Sequence, residues 1–289
     1  MIHETYSMKV EGSMAYARLV TYLQEDTPDI MIHQRPMVVV CPGGAYYETS
    51  DREADVVALR MLGMGFHAAV LRYSCAPAVF PAALLELASS VKLLREHAAE
   101  WHIDPEKIVV MGFSAGGHLA ASLGVFWNKG FLSEGLGLKS CEHQLLRPDG
   151  MILCYPVITS GEYANRGSFE NLLGLVQDRV PELFEGFGES CPLEVMLEKL
   201  SLEKQVSRDT PRAFIWHTFE DGLVPVENSL LLAGALRKAG VETEFHMYPH
   251  GVHGLSLASR LTVKNGDAGL IQEACQGWVE MAGRWIWEL

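Results

Sequence analysis

Ile108-Val109-Val110-Met111-Gly112-Phe113-Ser114-Ala115-Gly116-Gly117-His118-Leu119-Ala120 sets a continuous apolar run against a glycine-flanked serine, followed by small residues of helical character. The run 108–111 does not alternate between apolar and polar side chains, so it reads as a strand buried on both faces. Residues 117–127 read as a helix. Between them, Gly112-Phe113-Ser114-Ala115-Gly116 fits G-x-S-x-G. In a chain with 27 glycines the pentapeptide alone is a weak signal. A buried strand before it and a helix after it give it meaning. Such a sharp turn holds the serine in a strained backbone conformation and leaves no room for a side chain at either flanking glycine. Ser114 is therefore the candidate nucleophile, and the bland alternative is an ordinary glycine-rich strand-to-helix turn.

Outward from this stretch the pattern alternates. Strands are expected at 17–23, 37–41, 66–73, 107–111, 150–157, 212–217 and 242–248. Helices are expected at 53–62, 81–101, 117–127, 226–239 and 272–287. The 81–101 helix rests on Leu84, Leu85, Leu87, Val91 and Leu94 at helical spacing. Such alternation implies an α/β fold, a mostly parallel central sheet with helices on both faces. No repeat or linker divides the chain, so residues 1–289 read as one domain. The stretch 160–211 shows no strand of the sheet pattern and is expected to be a small cap insertion. It carries Glu162, Glu170, Asp178, Glu182, Glu185 and Glu189 among its apolar residues. A lid that meets lipid instead needs a continuous apolar face.

A serine hydroxyl is a poor nucleophile until a base takes its proton. Two loops, each just after an expected strand, supply candidates: His217-Thr218-Phe219-Glu220-Asp221-Gly222-Leu223-Val224-Pro225 and Pro249-His250-Gly251-Val252-His253-Gly254. Either Glu220 or Asp221 can orient an imidazole; Asp221 is preferred because D-x-x-V-P runs straight into the 226–239 helix. Either His250 or His253 can act as base; His253 is preferred because Gly251 and Gly254 leave its loop free to reach. For His118, His217 and His250 the plain expectation is a polar side chain satisfied by nearby backbone or water.

A tetrahedral oxyanion needs backbone N–H donors aimed at it. Ala115, the residue after the nucleophile, supplies one. Pro42-Gly43-Gly44-Ala45-Tyr46, directly after the 37–41 strand, supplies Gly44 and Ala45. No lysine follows at phosphate-loop spacing, so a phosphate cradle is the weaker reading. Tyr46 and Tyr47 are candidates to line an acyl pocket, or simply to pack. Arg52 and Glu53 are expected to pair with each other or to cap the next helix.

The formal net charge of −13, with no basic stripe, argues against nucleic acid and anionic membrane as partners. The apolar stretches are too short to span a bilayer. The first residues show neither a basic region nor an apolar core of a signal peptide, so a cytoplasmic location is expected. Six scattered cysteines without a C-x-x-C pair read as reduced thiols, and neither a metal nor a cofactor is expected.

V-C-P-G-G-A-Y-Y with R-E, G-F-S-A-G-G-H-L-A, Y-P-V-I-T-S-G, W-H-T-x-x-D-x-x-V-P-V-E-N-S and P-H-G-x-H-G together resemble the small bacterial acetyl-xylan-esterase-like esterases. Those are relatives of the hormone-sensitive-lipase group. The resemblance runs from about residue 36 to the last helix. It implies the α/β-hydrolase fold and carboxylic ester hydrolysis with a preference for small acyl groups, often acetyl on sugars. The implied partner is a small-molecule ester, such as an acetylated oligosaccharide. It carries the family roles onto Ser114, Asp221 and His253, with Gly44, Ala45 and Ala115 as oxyanion donors. Two departures stand out. Ala45 occupies the place of a third glycine, which keeps the N–H, and Pro42 stands where related lipases have histidine. Glu162 and Arg166 also look family-like, as substrate contacts or as a surface salt link. A peptidase of the same triad is the competing enzyme reading; a non-catalytic binding protein is the reading from another class, disfavoured because all three triad residues are present.

Overall fold

The computed structural model describes residues 1–175 and 192–289. Asp178, Glu182, Glu185 and Glu189 of the expected cap lie outside the described residues. A strand of successive apolar residues can leave neither face to water, and such strands build the centre of the molecule. The strands are β1 (Ile2–Ser7), β2 (Arg18–Leu23), β3 (Arg35–Cys41), β4 (His67–Arg72), β5 (Ile103–Phe113), β6 (Gly150–Cys154), β7 (Arg212–Thr218) and β8 (Thr243–Tyr248). They form one eight-stranded sheet in the order β1-β2-β4-β3-β5-β6-β7-β8. β2 runs antiparallel to both of its neighbours, and every other pair is parallel.

Side-chain alternation divides the core into two layers. On one face Met37, Val39, Ile108, Val110, Met151, Leu153 and Ile215 pack with Leu84, Leu119 and Leu232. Those leucines belong to α2 (Ala82–Glu96), α3 (Ala115–Phe126) and α7 (Glu227–Ala239). On the other face Val38, Val40, Val109, Met111, Ile152 and Trp216 pack with Val57, Met61, Trp278 and Ile286. These come from α1 (Asp55–Gly63) and α8 (Trp278–Trp287). Shorter helices complete the described chain: α4 (Gly130–Gly135) beside α3, and α5 (Arg166–Leu173) and α6 (Leu193–Lys199) between β6 and β7.

Some elements differ from the sequence expectation, each for a local reason. β1 was not expected, because it is an exposed edge strand with no apolar run, held only by β2. β5 begins four residues early because Ile103 pairs with Arg35 across an irregularity in the ladder. β6 stops at Cys154, since Tyr155 takes a left-handed backbone (φ 38°) and Pro156 has no N–H to donate. α1 starts at Asp55, after a single 3-10 turn at Asp51–Glu53. α8 starts at Trp278, after another at Glu273–Cys275.

No helix among the described residues is long and apolar enough to cross a membrane. The described cysteines, Cys41, Cys75, Cys141, Cys154 and Cys275, are unpaired.

Candidate active site

The sheet places four loops at the carboxyl ends of neighbouring strands, the edge where ligands meet open α/β sheets. They follow β3, β5, β7 and β8, and between them they carry the candidate triad and the candidate oxyanion amides.

Ser114 directly follows β5 and stands at the N-cap of α3 with φ 54° and ψ −118°. This conformation costs a non-glycine residue of the order of 1–3 kcal/mol and persists only because its surroundings enforce it. A Cβ on Gly112 would lie 2.0 Å from the Gly116 carbonyl oxygen, and one on Gly116 would lie 2.1 Å from that of Cys41. Backbone therefore closes on both sides of the serine, which is itself only 9% exposed. The hydroxyl donates to His253 Nε2 at 2.7 Å. His253 Nδ1 donates to Asp221 Oδ2 at 2.6 Å.

Asp221 sits in a tight turn after β7. Its Oδ1 accepts the N–H groups of Leu223 (3.0 Å) and Val224 (2.9 Å). Its Oδ2 also accepts from His217 Nε2 at 3.2 Å. Burial alone would raise this carboxyl, but the bonds from His217 and His253 and from the Val224 amide outweigh it. They hold Asp221 well below the usual carboxylate range. His217 was expected only as a satisfied polar side chain. Fully buried, it does find partners in Val224 O and Ser229 Oγ, and it also braces Asp221.

The two alternatives left open by the sequence stand apart from this chain of bonds. Glu220 accepts from His250 at 2.9 Å, with both side chains exposed. Ser114, His253 and Asp221 are the residues brought together.

The loop after β3 lies directly over the nucleophile: a Cβ on Gly43 would stand 3.0 Å from Ser114 Cβ. Each of its carbonyls is held. Pro42 O accepts Tyr73 Oη at 2.7 Å and Gly43 O accepts Ser50 N at 2.8 Å. Gly44 O accepts Tyr47 N at 2.9 Å, and Ala45 O accepts Asn171 Nδ2 at 2.9 Å. Gly44, Ala45 and Tyr46 all have positive φ (137°, 54° and 56°). A Cβ on Gly44 would meet Glu48 O at 2.1 Å, so only glycine fits there. Among the described residues the amides of Gly44, Ala45 and Ala115 meet no acceptor, whereas the Gly43 amide is taken by Glu53. Tyr73 and Glu53 thus do the anchoring for which Pro42 has no side-chain donor.

Two expectations need correction. Tyr46 does not line a pocket: it is 3% exposed, and its hydroxyl donates to His118 Nδ1 at 2.9 Å. His118 Nε2 donates in turn to Leu200 O at 3.0 Å, and burial pushes this imidazole down to about 4, so it stays neutral. Tyr47, by contrast, is 70% exposed. Arg52 and Glu53 neither pair with each other nor cap α1. Arg52 donates to Gly254 O (2.6 Å) and to Thr262 O, beyond His253, while Glu53 turns inward to Gly43 and Tyr155. Glu162 and Arg166 are both exposed. No group of His, Cys, Asp and Glu among the described residues is arranged to hold a metal ion.

Residues 26–236 match the family model BD-FAE. The chain belongs to the BD-FAE family. Its fold is the α/β-hydrolase fold. Over 247 residues, 83% of the chain, it is 36% identical to endo-1,4-beta-xylanase B of Butyrivibrio fibrisolvens, of which that covers 35%. Over 227 residues, 77% of the chain, it is 27% identical to an acetylxylan esterase of Xylanibacter ruminicola, of which that covers 41%. The chain thus spans well under half the length of these curated relatives. Among solved structures it resembles the acetyl ester-xyloside bifunctional hydrolase of Caldicellulosiruptor lactoaceticus. There the TM-score is 0.75 and the identity 35%, over 94% of this chain and 88% of that one. This BD-FAE member is accordingly akin to acetyl-xylan-esterase-like hydrolases related to the hormone-sensitive-lipase group.

Proposed function

We propose that the chain is a serine ester hydrolase that removes short acyl groups, acetyl foremost, from carbohydrate esters, through a Ser114-His253-Asp221 triad. The carrying observation is the unbroken line of hydrogen bonds from Ser114 Oγ through His253 to Asp221 Oδ2, beside three amides with no acceptor among the described residues. In this reading His253 takes the proton as Ser114 Oγ attacks the acyl carbon. Asp221 holds the imidazole in the tautomer with Nδ1–H and stabilises the imidazolium that forms. The oxyanion accepts from the amides of Gly44, Ala45 and Ala115. His253 then protonates the departing alcohol, and water, deprotonated by the same imidazole, hydrolyses the acyl-enzyme.

The carbohydrate half of the proposal is supported by the names of similar proteins, an acetylxylan esterase and an acetyl ester-xyloside hydrolase. We read the chain as one domain, with 160–211 as a cap that contributes α5 and α6. The five described cysteines, all unpaired, support a reducing, cytoplasmic setting.

Acetate release from acetylated xylo-oligosaccharides, measured beside a panel of acyl nitrophenyl esters, tests the proposal. Acetyl and propionyl esters should be cleaved best, with a steep decline by octanoyl. A methylene that does not fit costs about 1–3 kcal/mol in the transition state, up to about 200-fold in rate. Octanoyl esters matching acetyl esters in kcat/KM would contradict the short pocket, and no acetate release would contradict the carbohydrate assignment.

A further inference from the structure

Glu53 is a glutamate only 3% exposed, with no ion pair among the described residues, on the single turn that precedes α1. Its Oε2 accepts the Gly43 amide at 2.8 Å. Its Oε1 accepts the Tyr155 hydroxyl at 2.6 Å. The Tyr155 oxygen in turn accepts the Ser256 amide at 2.8 Å, and its ring stands edge-on to His253 with centroids 5.1 Å apart. Ser256 lies three residues beyond His253, and its hydroxyl donates to the carbonyl of Arg52, the residue before Glu53. One carboxylate therefore touches the loop that carries Gly44 and Ala45 and, through Tyr155, the loop that carries His253.

The position of Glu53 relative to the nucleophile makes this consequential. A Cβ on Gly43 would meet Glu53 Oε2 at 2.7 Å and Ser114 Cβ at 3.0 Å, so both the carboxylate and the nucleophile's residue pack against Gly43, the residue before the proposed oxyanion amides. Peptide groups are planar, so a carbonyl held on one side and an N–H held on the other fix the whole unit. The Pro42–Gly43 peptide is held in this way, by Tyr73 at its oxygen and by Glu53 at its nitrogen. The left-handed residues Ala45 and Tyr46 follow it and need such a fixed start, because their backbone is strained.

We propose that Glu53 is a positioning residue for both halves of the active site, setting the aim of the oxyanion amides through Gly43 and of His253 through Tyr155. This rests on the ester-hydrolase reading above. A hydrogen-bond inventory dictates the test. Both carboxylate oxygens of Glu53 receive donors, whereas a glutamine offers one acceptor and one NH2 group, so Glu53→Gln sets donor against donor at Gly43 or at Tyr155.

The experiment measures kcat, KM and melting temperature for wild type, Glu53→Gln, Tyr155→Phe and the double variant on a nitrophenyl acetate, well below the lowest melting temperature. Loss of a whole oxyanion donor costs about 10²–10³-fold in kcat. A displaced loop should cost less, about 10- to 100-fold in kcat for Glu53→Gln with KM nearly unchanged. The double variant should lose less than the product of the single losses, because the two side chains act as one unit. A kcat for Glu53→Gln within twofold of wild type, or losses that multiply across the cycle, would overturn the inference. If Glu53→Gln does not fold, Tyr155→Phe decides alone, and a kcat within twofold of wild type overturns it. A wild-type chain that hydrolyses no ester would instead overturn the underlying reading, and this inference with it.

Discussion

Replacing Asp221 by asparagine probes the acid of the triad, and the structure dictates how the variant must rearrange. Asp221 accepts four hydrogen bonds: Leu223 and Val224 amides on Oδ1, and His253 and His217 on Oδ2. An asparagine carries one oxygen and one NH2 group. With its oxygen toward His253, the NH2 faces two backbone N–H groups, the part-buried one of Leu223 and the buried one of Val224, and losing the buried bond costs about 1–3 kcal/mol. With its oxygen toward those amides, the NH2 faces His217 and His253. His217 is less affected, because its Nε2–H also bonds Val224 O at 3.0 Å. His253 must then accept at Nδ1, which puts its proton on Nε2, facing Ser114. The second arrangement is the cheaper, and it removes the base from the serine. The same substitution in a comparable triad costs about 10⁴-fold in kcat, or about 5 kcal/mol. Glu220→Gln alters only an exposed pair with His250 and should change kcat by less than twofold. The assay is steady-state hydrolysis of a nitrophenyl acetate, with circular dichroism to check folding. Equal losses in the two variants would refute the assignment of Asp221.

Two further outcomes follow from the same geometry. kcat/KM should fall toward acid, because a protonated imidazole cannot accept the serine proton. Asp221, held well below the usual carboxylate range, stays ionised across that limb, so a step assigned to Asp221 within the usual carboxylate range would contradict the account. Gly112→Ala should cost at least the about 1–3 kcal/mol typical of overpacking, since its methyl would stand 2.0 Å from a backbone oxygen. That lowers Tm by several degrees, and an unchanged Tm in calorimetry would show that the turn has slack.

Much of this is legible in the sequence, for physical reasons. The central strands announce themselves because both of their faces are buried, as in Val38-Val39-Val40 and Ile108-Val109-Val110. The elbow is readable because its steric limits fall on glycine, so the constraint is written in residue type at Gly112 and Gly116. The two loops with Asp221 and His253 follow strands that are themselves recognisable. The supporting shell was not legible. Glu53, Tyr155 and Asn171 make their decisive bonds to residues 10, 101 and 126 positions away, and nothing local distinguishes them from surface polar residues. Tyr46 stays open between pocket and packing in the sequence for a related reason: proximity to the oxyanion loop does not say which side of the loop a ring occupies. Its left-handed backbone turns it into the core, onto His118. β1 escaped because an exposed edge strand carries no burial pattern.

The central claim is that Ser114 is an activated nucleophile. It is tested most directly by treating the chain with a phosphonate ester, mapping the adduct by peptide mass spectrometry, and following residual ester hydrolysis in the same samples. The account predicts one adduct, on Ser114, with activity lost in proportion to labelling and no adduct in Ser114→Ala. Full activity in a quantitatively labelled protein, or an adduct on any other serine that tracks the loss, would contradict it.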